Sequence, residues 1–176
     1  MSPADLQRLR TAVRDVPDFP KPGIIFKDIT PILGDGELFR LAVAGLVEAA
    51  QAAQPQKIAG IDARGFILGG AVANQLGLGF VPIRKKGKLP WQCQSVAYAL
   101  EYGEAVVEVH NDAVLPGERV VMIDDLLATG GTAAAAGQLI EQIGGKLVEM
   151  LFLIELSFLA GRSKLNGSPV QALLTF

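Results

Sequence analysis

Apolar positions recur along this chain at two different spacings, and the change from one to the other organises it. Near the start, Leu6, Leu9, Arg10 and Val13 fall at helical spacing behind Ser2, a residue suited to capping, so residues 3–14 are predicted as a short helix. Pro17, Pro20 and Pro22 then break any regular pattern, which predicts an irregular or extended arm over 16–27. After Gly34-Asp35-Gly36, a second helical stripe at Leu38, Leu41, Val43 and Leu46 predicts a helix over 37–53.

From Lys57 onward, short apolar runs alternate with helical patterns. The runs 57–61, 79–83, 119–123 and 146–155 read as strands, and 65–76 and 131–143 as helices rich in small residues. Residues 96–102 and 105–110 look like the arms of a hairpin around Gly103-Glu104, and 170–176 adds a last strand. Strands this continuously apolar, separated by helices, predict an α/β fold: a mainly parallel sheet with helices on both faces. Ligands of such sheets sit beyond the carboxyl ends of the strands. That places Asp62-Ala63-Arg64-Gly65 and residues 124–132 on one rim.

Composition narrows the classes. Half of the 176 residues are apolar and 19% are charged, which suits one domain over 1–176 and argues against disorder. No apolar run approaches the roughly 18 residues of a membrane span, and the longest, 147–156, is interrupted by Glu149 and Glu155. The start of the chain lacks the basic and apolar regions of a secretory signal, and its one cysteine, Cys93, fits a reducing, cytoplasmic setting. Cys93 and the one histidine, His110, cannot make a metal site of the usual nitrogen and sulfur kind. A net charge of −2 gives no support for nucleic-acid binding. An anionic ligand must therefore be held by a local arrangement.

Residues 120–132 supply one. Asp124 and Asp125 follow a buried apolar run, where two adjacent acids are costly unless something satisfies them. The vicinal hydroxyls of a ribose are a matching pair of donors. Ala128, Thr129, Gly130, Gly131 and Thr132 then lead into a helix start, whose outward N–H groups and dipole favour a phosphate. The segment is predicted to bind a ribose 5-phosphate group. The plainer alternative, a tight turn with Asp125 as a cap, leaves both acids unexplained. A Walker loop is excluded by the missing lysine, and a dinucleotide fingerprint would put glycines where the acids stand.

Two other groupings carry chemistry. Arg64 leads into a predicted helix and could chelate diphosphate oxygens with its fork, or form a surface salt bridge. Arg84, Lys85, Lys86 and Lys88 make the one dense basic cluster, either an electrostatic clamp or a solvated face, with Lys86 read as solvated. Cys93 and His110 are not read as a nucleophile pair, since nothing in the sequence brings them together.

Residues 120–132 resemble the phosphoribosyl-diphosphate signature of the type I phosphoribosyltransferases. Residues 18–31, 62–66, 83–90 and Leu100-Glu101-Tyr102-Gly103 match that family in order, and the proline-rich arm with 100–103 matches its adenine-using branch. The resemblance implies transfer of 5-phosphoribosyl from its 1-diphosphate to N9 of adenine, giving AMP and diphosphate in purine salvage. It also implies Mg2+ carried by the substrate, touching Asp124 or Asp125 at most, and a homodimer into whose neighbour Arg84 reaches. A small N-terminal hood over 1–33 and a flexible hairpin loop region over 84–104 are implied as well.

Residue by residue, the resemblance assigns Arg64, Arg84, Lys85 and Lys88 to diphosphate, with a cis peptide at Asp62–Ala63. Glu101 becomes the acid–base group on a lid, and Ile25, Phe26 and Lys27 become the adenine site. From the residues alone, Glu101 reads as a solvated strand charge and Phe26 as core. Residues 90–99 have no residue-level match; they read as a mobile lid, with Trp91 equally suited to a dimer contact. The alternatives are a phosphoribosyltransferase for another base and a non-enzymatic regulator that senses phosphoribosyl diphosphate.

Overall fold

The computed structural model describes residues 1–99, 103–165 and 167–176. The chain has two compact units, Met1–Gly45 and Leu46–Phe176.

In the first unit, helix α1 (Pro3–Ala12) begins at a capping box: the Ser2 hydroxyl accepts from the Asp5 N–H at 3.2 Å and the Asp5 carboxylate accepts from the Ser2 N–H. The arm is more regular than its prolines suggested. Strand β1 (Arg14–Pro17) pairs antiparallel with β2 (Ile25–Asp28), Pro17 opposite Ile25, and the prolines fall at the end of β1 and in the connection. A short helix α2 (Thr30–Gly34) was not foreseen; the Asp28 carboxylate accepts from both the N–H and the hydroxyl of Thr30 just before Pro31. Helix α3 (Gly36–Ala52) starts where Asp35 accepts from the N–H groups of Glu37 and Leu38.

The second unit is built on a seven-stranded sheet. Strand β3 (Lys57–Ile61) leads through helix α4 (Arg64–Leu76) to β4 (Gly79–Lys85), and a hairpin of β5 (Cys93–Ala99) and β6 (Glu104–His110) follows. Strand β7 (Arg119–Leu127), helix α5 (Gly131–Gln142), β8 (Lys146–Glu155), two 3-10 turns at Ser157–Leu159 and Gly161–Lys164, and β9 (Val170–Thr175) complete it. The order is β5-β6-β4-β3-β7-β8-β9, parallel from β4 to β9 and antiparallel at β6 and β5. The mainly parallel sheet is thus as expected, with an antiparallel edge supplied by the hairpin. β5 begins at Cys93, so the strand takes in residues read from sequence as part of a mobile stretch.

The crossovers β3–α4–β4 and β7–α5–β8 run in opposite directions along the sheet. Right-handed connections therefore put α4 and α5 on opposite faces. β7 shows the consequence: Val120 and Met122 join the cluster of Ala136, Leu139 and Ile140 from α5, while Val121 and Ile123 are buried outside it. On the α4 side, glycine permits close approach. A Cβ at Gly60 or Gly69 would come within 3.0 Å of the Phe80 ring, so Ala at either position should be destabilising by about 1–3 kcal/mol of overpacking, read by chemical denaturation. Among the described residues, no helix is long and apolar enough to cross a membrane.

Candidate active site

The reversal of crossover direction lies between β3 and β7, and a ligand site belongs at the carboxyl ends of the strands there. Pairing of β3 with β7 stops at Gly60 and Ile123, because the chain after Ile61 turns into α4. β7 does not stop there. Asp124-Asp125 were expected past the strand end, but the strand carries on through them to Leu127, held by β8 alone. The acids therefore have β8 on one side and, on the other, the start of α4 and a cavity. Gly65 leaves room for them: a Cβ there would meet the Asp124 carboxylate at 2.7 Å.

The cavity, of about 450 Å³, is lined by Asp62, Arg64, Lys85, Tyr98, Asp124 and Asp125 together with Leu126 and Thr132. The Asp62–Ala63 peptide is cis, as the resemblance implied. Asp125 is buried and accepts from Arg64 Nε at 2.5 Å; Asp124 Oδ1 accepts from the Asp125 N–H at 2.9 Å. Burial, and then the charge of Asp125, push the Asp124 carboxyl well above the usual carboxylate range, while Arg64 acts weakly the other way. Two acids held this close favour a ligand that donates hydroxyls or brings positive charge.

A smaller hollow of about 90 Å³ adjoins it, lined by Asp124 and residues 126–133. Gly130 takes φ +80°, and a Cβ there would lie 2.3 Å from the Gly161 carbonyl oxygen. Reciprocally, a Cβ on Gly161 would lie 2.2 Å from the Ala128 carbonyl oxygen, so the loop is pressed against a second glycine from beyond β8. α5 opens from Gly130 with no side-chain cap, leaving its first N–H groups for a ligand. Tyr98 of β5 lies against Gly131 at this helix start.

The other expected site residues are distributed as follows. Arg84 donates to Asp62 at 3.1 Å and to the Lys88 carbonyl at 3.1 Å, so within this chain it braces the basic turn. Lys85 lines the cavity; Lys86 and Lys88 are exposed. Glu101 lies outside the described residues. Ile25, Phe26 and Lys27 occupy β2 of the first unit, where the Phe26 ring meets Phe19 edge-on at 5.3 Å and Lys27 pairs with Asp15 at 2.6 Å. Cys93 and His110, which the sequence gave no reason to bring together, are cross-strand partners. Burial and the Glu108 carboxylate raise the Cys93 thiol, the opposite of an activated nucleophile.

Four contributors were missed. Asp62 was read only as part of its motif, not as the partner of Arg84. Tyr98 fell in a stretch with no match. Leu126 fell within the predicted ligand segment without a role of its own yet lines both hollows, and Gly161 is far from the loop in sequence. Only Gly161 had a visible signal, a glycine ending an otherwise apolar turn after β8.

Fold and site together define a phosphoribosyltransferase domain, and residues 33–165 match the family profile described as phosphoribosyl transferase domain. The adenine phosphoribosyltransferase of Methylobacterium nodulans is 56% identical over 178 aligned residues, covering 100% of this chain and 98% of that protein. That of Acidothermus cellulolyticus is 55% identical, covering 99% of each. The crystal structure of the Rhodothermus marinus adenine phosphoribosyltransferase superposes with a TM-score of 0.94 at 52% identity, over 99% of this chain and 100% of that one. The Saccharomyces cerevisiae enzyme, crystallised with adenine and an imino-altritol bisphosphate, gives 0.92 at 43% identity over 97% of this chain and 99% of that one. This chain belongs to the phosphoribosyltransferase family, in its adenine phosphoribosyltransferase branch.

Proposed function

We propose that this chain transfers the 5-phosphoribosyl group of 5-phosphoribosyl 1-diphosphate to N9 of adenine, releasing diphosphate and AMP, a purine-salvage reaction. The observation that carries this is the adjacency of the Asp124-Asp125 pair to the uncapped start of α5, with Arg64 and Lys85 facing the same cavity. The acids accept the ribose hydroxyls, the loop 128–132 takes the 5-phosphate, and Arg64 and Lys85 meet the diphosphate, with Arg84 and Lys88 in the turn beside them. The leaving diphosphate departs as the base arrives, so C1 carries positive character and the protein contributes position and charge neutralisation.

Among the described residues no group of three or more acids, histidines or cysteines could hold a metal. The two acids, one already bound to Arg64, fit Mg2+ that arrives on the diphosphate with its own waters. Mg2+ would neutralise diphosphate oxygens. In a homodimer, Arg84 would extend to the neighbouring site. Recognition of adenine falls to Ile25, Phe26 and Lys27, and proton transfer at the purine to Glu101.

The Asp124→Asn/Asp125→Asn double variant tests the ribose assignment. It keeps the shape of the pair and removes its charge, so activity should fall at least ~10²-fold, the usual scale for a lost electrostatic contact in a site. Near-normal turnover by the folded double variant would remove the basis of the assignment. Thr129→Val and Thr132→Val should chiefly raise KM for the sugar diphosphate.

The clamp has its own test. Lys85→Ala removes a cavity cation without orphaning an acid and should weaken diphosphate inhibition about tenfold, as for one charged hydrogen bond. Lys88→Ala should act in the same direction. Arg64→Ala should cost more, because it also leaves buried Asp125 without its guanidinium. KM for adenine should stay within twofold in the lysine variants; a loss confined to adenine would reverse the map of the site.

A further inference from the structure

We infer that Glu108 is a positioning residue for the diphosphate, holding the basic turn after β4 in its binding shape from the far side of the sheet. The inference rests on the reading of that turn as a diphosphate clamp. Glu108 stands in β6 opposite Arg84 and is only 8% exposed. One carboxylate oxygen accepts from the Gly87 N–H at 2.9 Å and the other from the Ser95 hydroxyl at 3.3 Å. Its neighbour Val107 lines the ligand cavity, so strand alternation turns Glu108 to the opposite face. It cannot touch a ligand in that cavity and acts through the turn instead.

The turn needs such an anchor. Arg84, Lys85, Lys86 and Lys88 crowd like charges into five residues around Gly87, which takes φ +79°. Lys86 N–H still bonds to Val106 of β6, Lys88 N–H closes back on the Lys85 carbonyl, and Arg84 holds the Lys88 carbonyl. The Gly87 N–H is tied to the Glu108 carboxylate, which fixes the backbone of the turn at the residue between the lysines. A buried carboxylate is costly unless its bonds are made, so Glu108 and the Gly87 turn fix one another. Pairing with Val107 holds Lys85 in the strand, and Lys88, beyond Gly87, takes its place from that fixed geometry.

Three variants test this in steady-state kinetics. Glu108→Ala removes the acceptor, Glu108→Asp keeps the charge but retracts the oxygens by one methylene, and Glu108→Gln keeps an acceptor oxygen at the same reach. Ala and Asp should each raise KM for 5-phosphoribosyl 1-diphosphate and the inhibition constant of diphosphate about tenfold, with KM for adenine within twofold. Gln should return both to within about threefold of the parent. Should Glu108→Ala fail to fold, the contrast between Asp and Gln carries the test. Equal impairment in Asp and Gln, no change in Asp, or a parallel loss of adenine binding overturns the inference. Lys85→Ala, run alongside, separates the levels. If it weakens diphosphate inhibition while the Glu108 variants do not, positioning by Glu108 alone is wrong; if Lys85→Ala too has no effect, the clamp itself is wrong.

Discussion

Glu101→Gln is expected to lower kcat by roughly 10²–10⁴-fold, the range for a lost general acid–base group, with only modest changes in KM for either substrate. The base must lose its N9 proton as it attacks C1, and the Asp124-Asp125 pair is proposed to serve the ribose instead, with Asp125 bound to Arg64. Tyr98, in β5, lines the cavity from the side opposite α4. The Gln side chain preserves size and hydrogen-bonding reach and removes only the ability to titrate. The pH–rate profile is the decisive readout. The limb of the parent profile that reports this carboxylate should disappear in the variant, and an unchanged profile would refute the role.

Much of the second unit was legible because its apolar runs are short and bounded by glycine or charge. The strand 146–155 is read off the sequence with both ends correct, since Gly144-Gly145 and the 3-10 turns bracket it. β7 is the instructive miss. Its apolar run ends at Ile123, and the strand continues through two acids because β8 still pairs with them while β3 has ended. No local signal encodes that; it is a property of two neighbours with different lengths. The arm 16–27, read as irregular or extended, is extended at both ends, since prolines at a strand end and in the connection do not forbid a two-stranded hairpin of four residue pairs.

The site was legible where one segment carries its own chemistry. Asp124-Asp125 and the glycine loop announce themselves, because buried charge and uncapped helix starts both demand partners. Contributions assembled across the fold were not. The Glu108–Gly87 contact spans 21 residues and reads in sequence as an ordinary strand charge. Gly161 backs the loop only because β8 returns the chain to that rim. The pairing of Cys93 with His110 likewise depends on hairpin register, and the raised thiol keeps it from being an active pair.

Transfer of phosphoribosyl to adenine, and not to another purine, turns on the hydrogen-bonding edge of the base. Adenine presents a donor at its exocyclic amine and an acceptor at N1, which a backbone C=O and N–H from the proposed adenine site, Ile25–Lys27, would match. A 6-oxopurine presents an acceptor and a donor at those same places, so both contacts become mismatched. Sites built on such hydrogen bonds discriminate by as much as roughly 10⁴–10⁵-fold. The direct measurement is kcat/KM for adenine, hypoxanthine and guanine with 5-phosphoribosyl 1-diphosphate and Mg2+ in one assay. The account requires AMP and diphosphate from adenine, with both oxopurines several orders of magnitude poorer. Hypoxanthine within tenfold of adenine would contradict it, leaving a phosphoribosyltransferase of different base specificity; no turnover with any base would leave a protein that senses the sugar diphosphate.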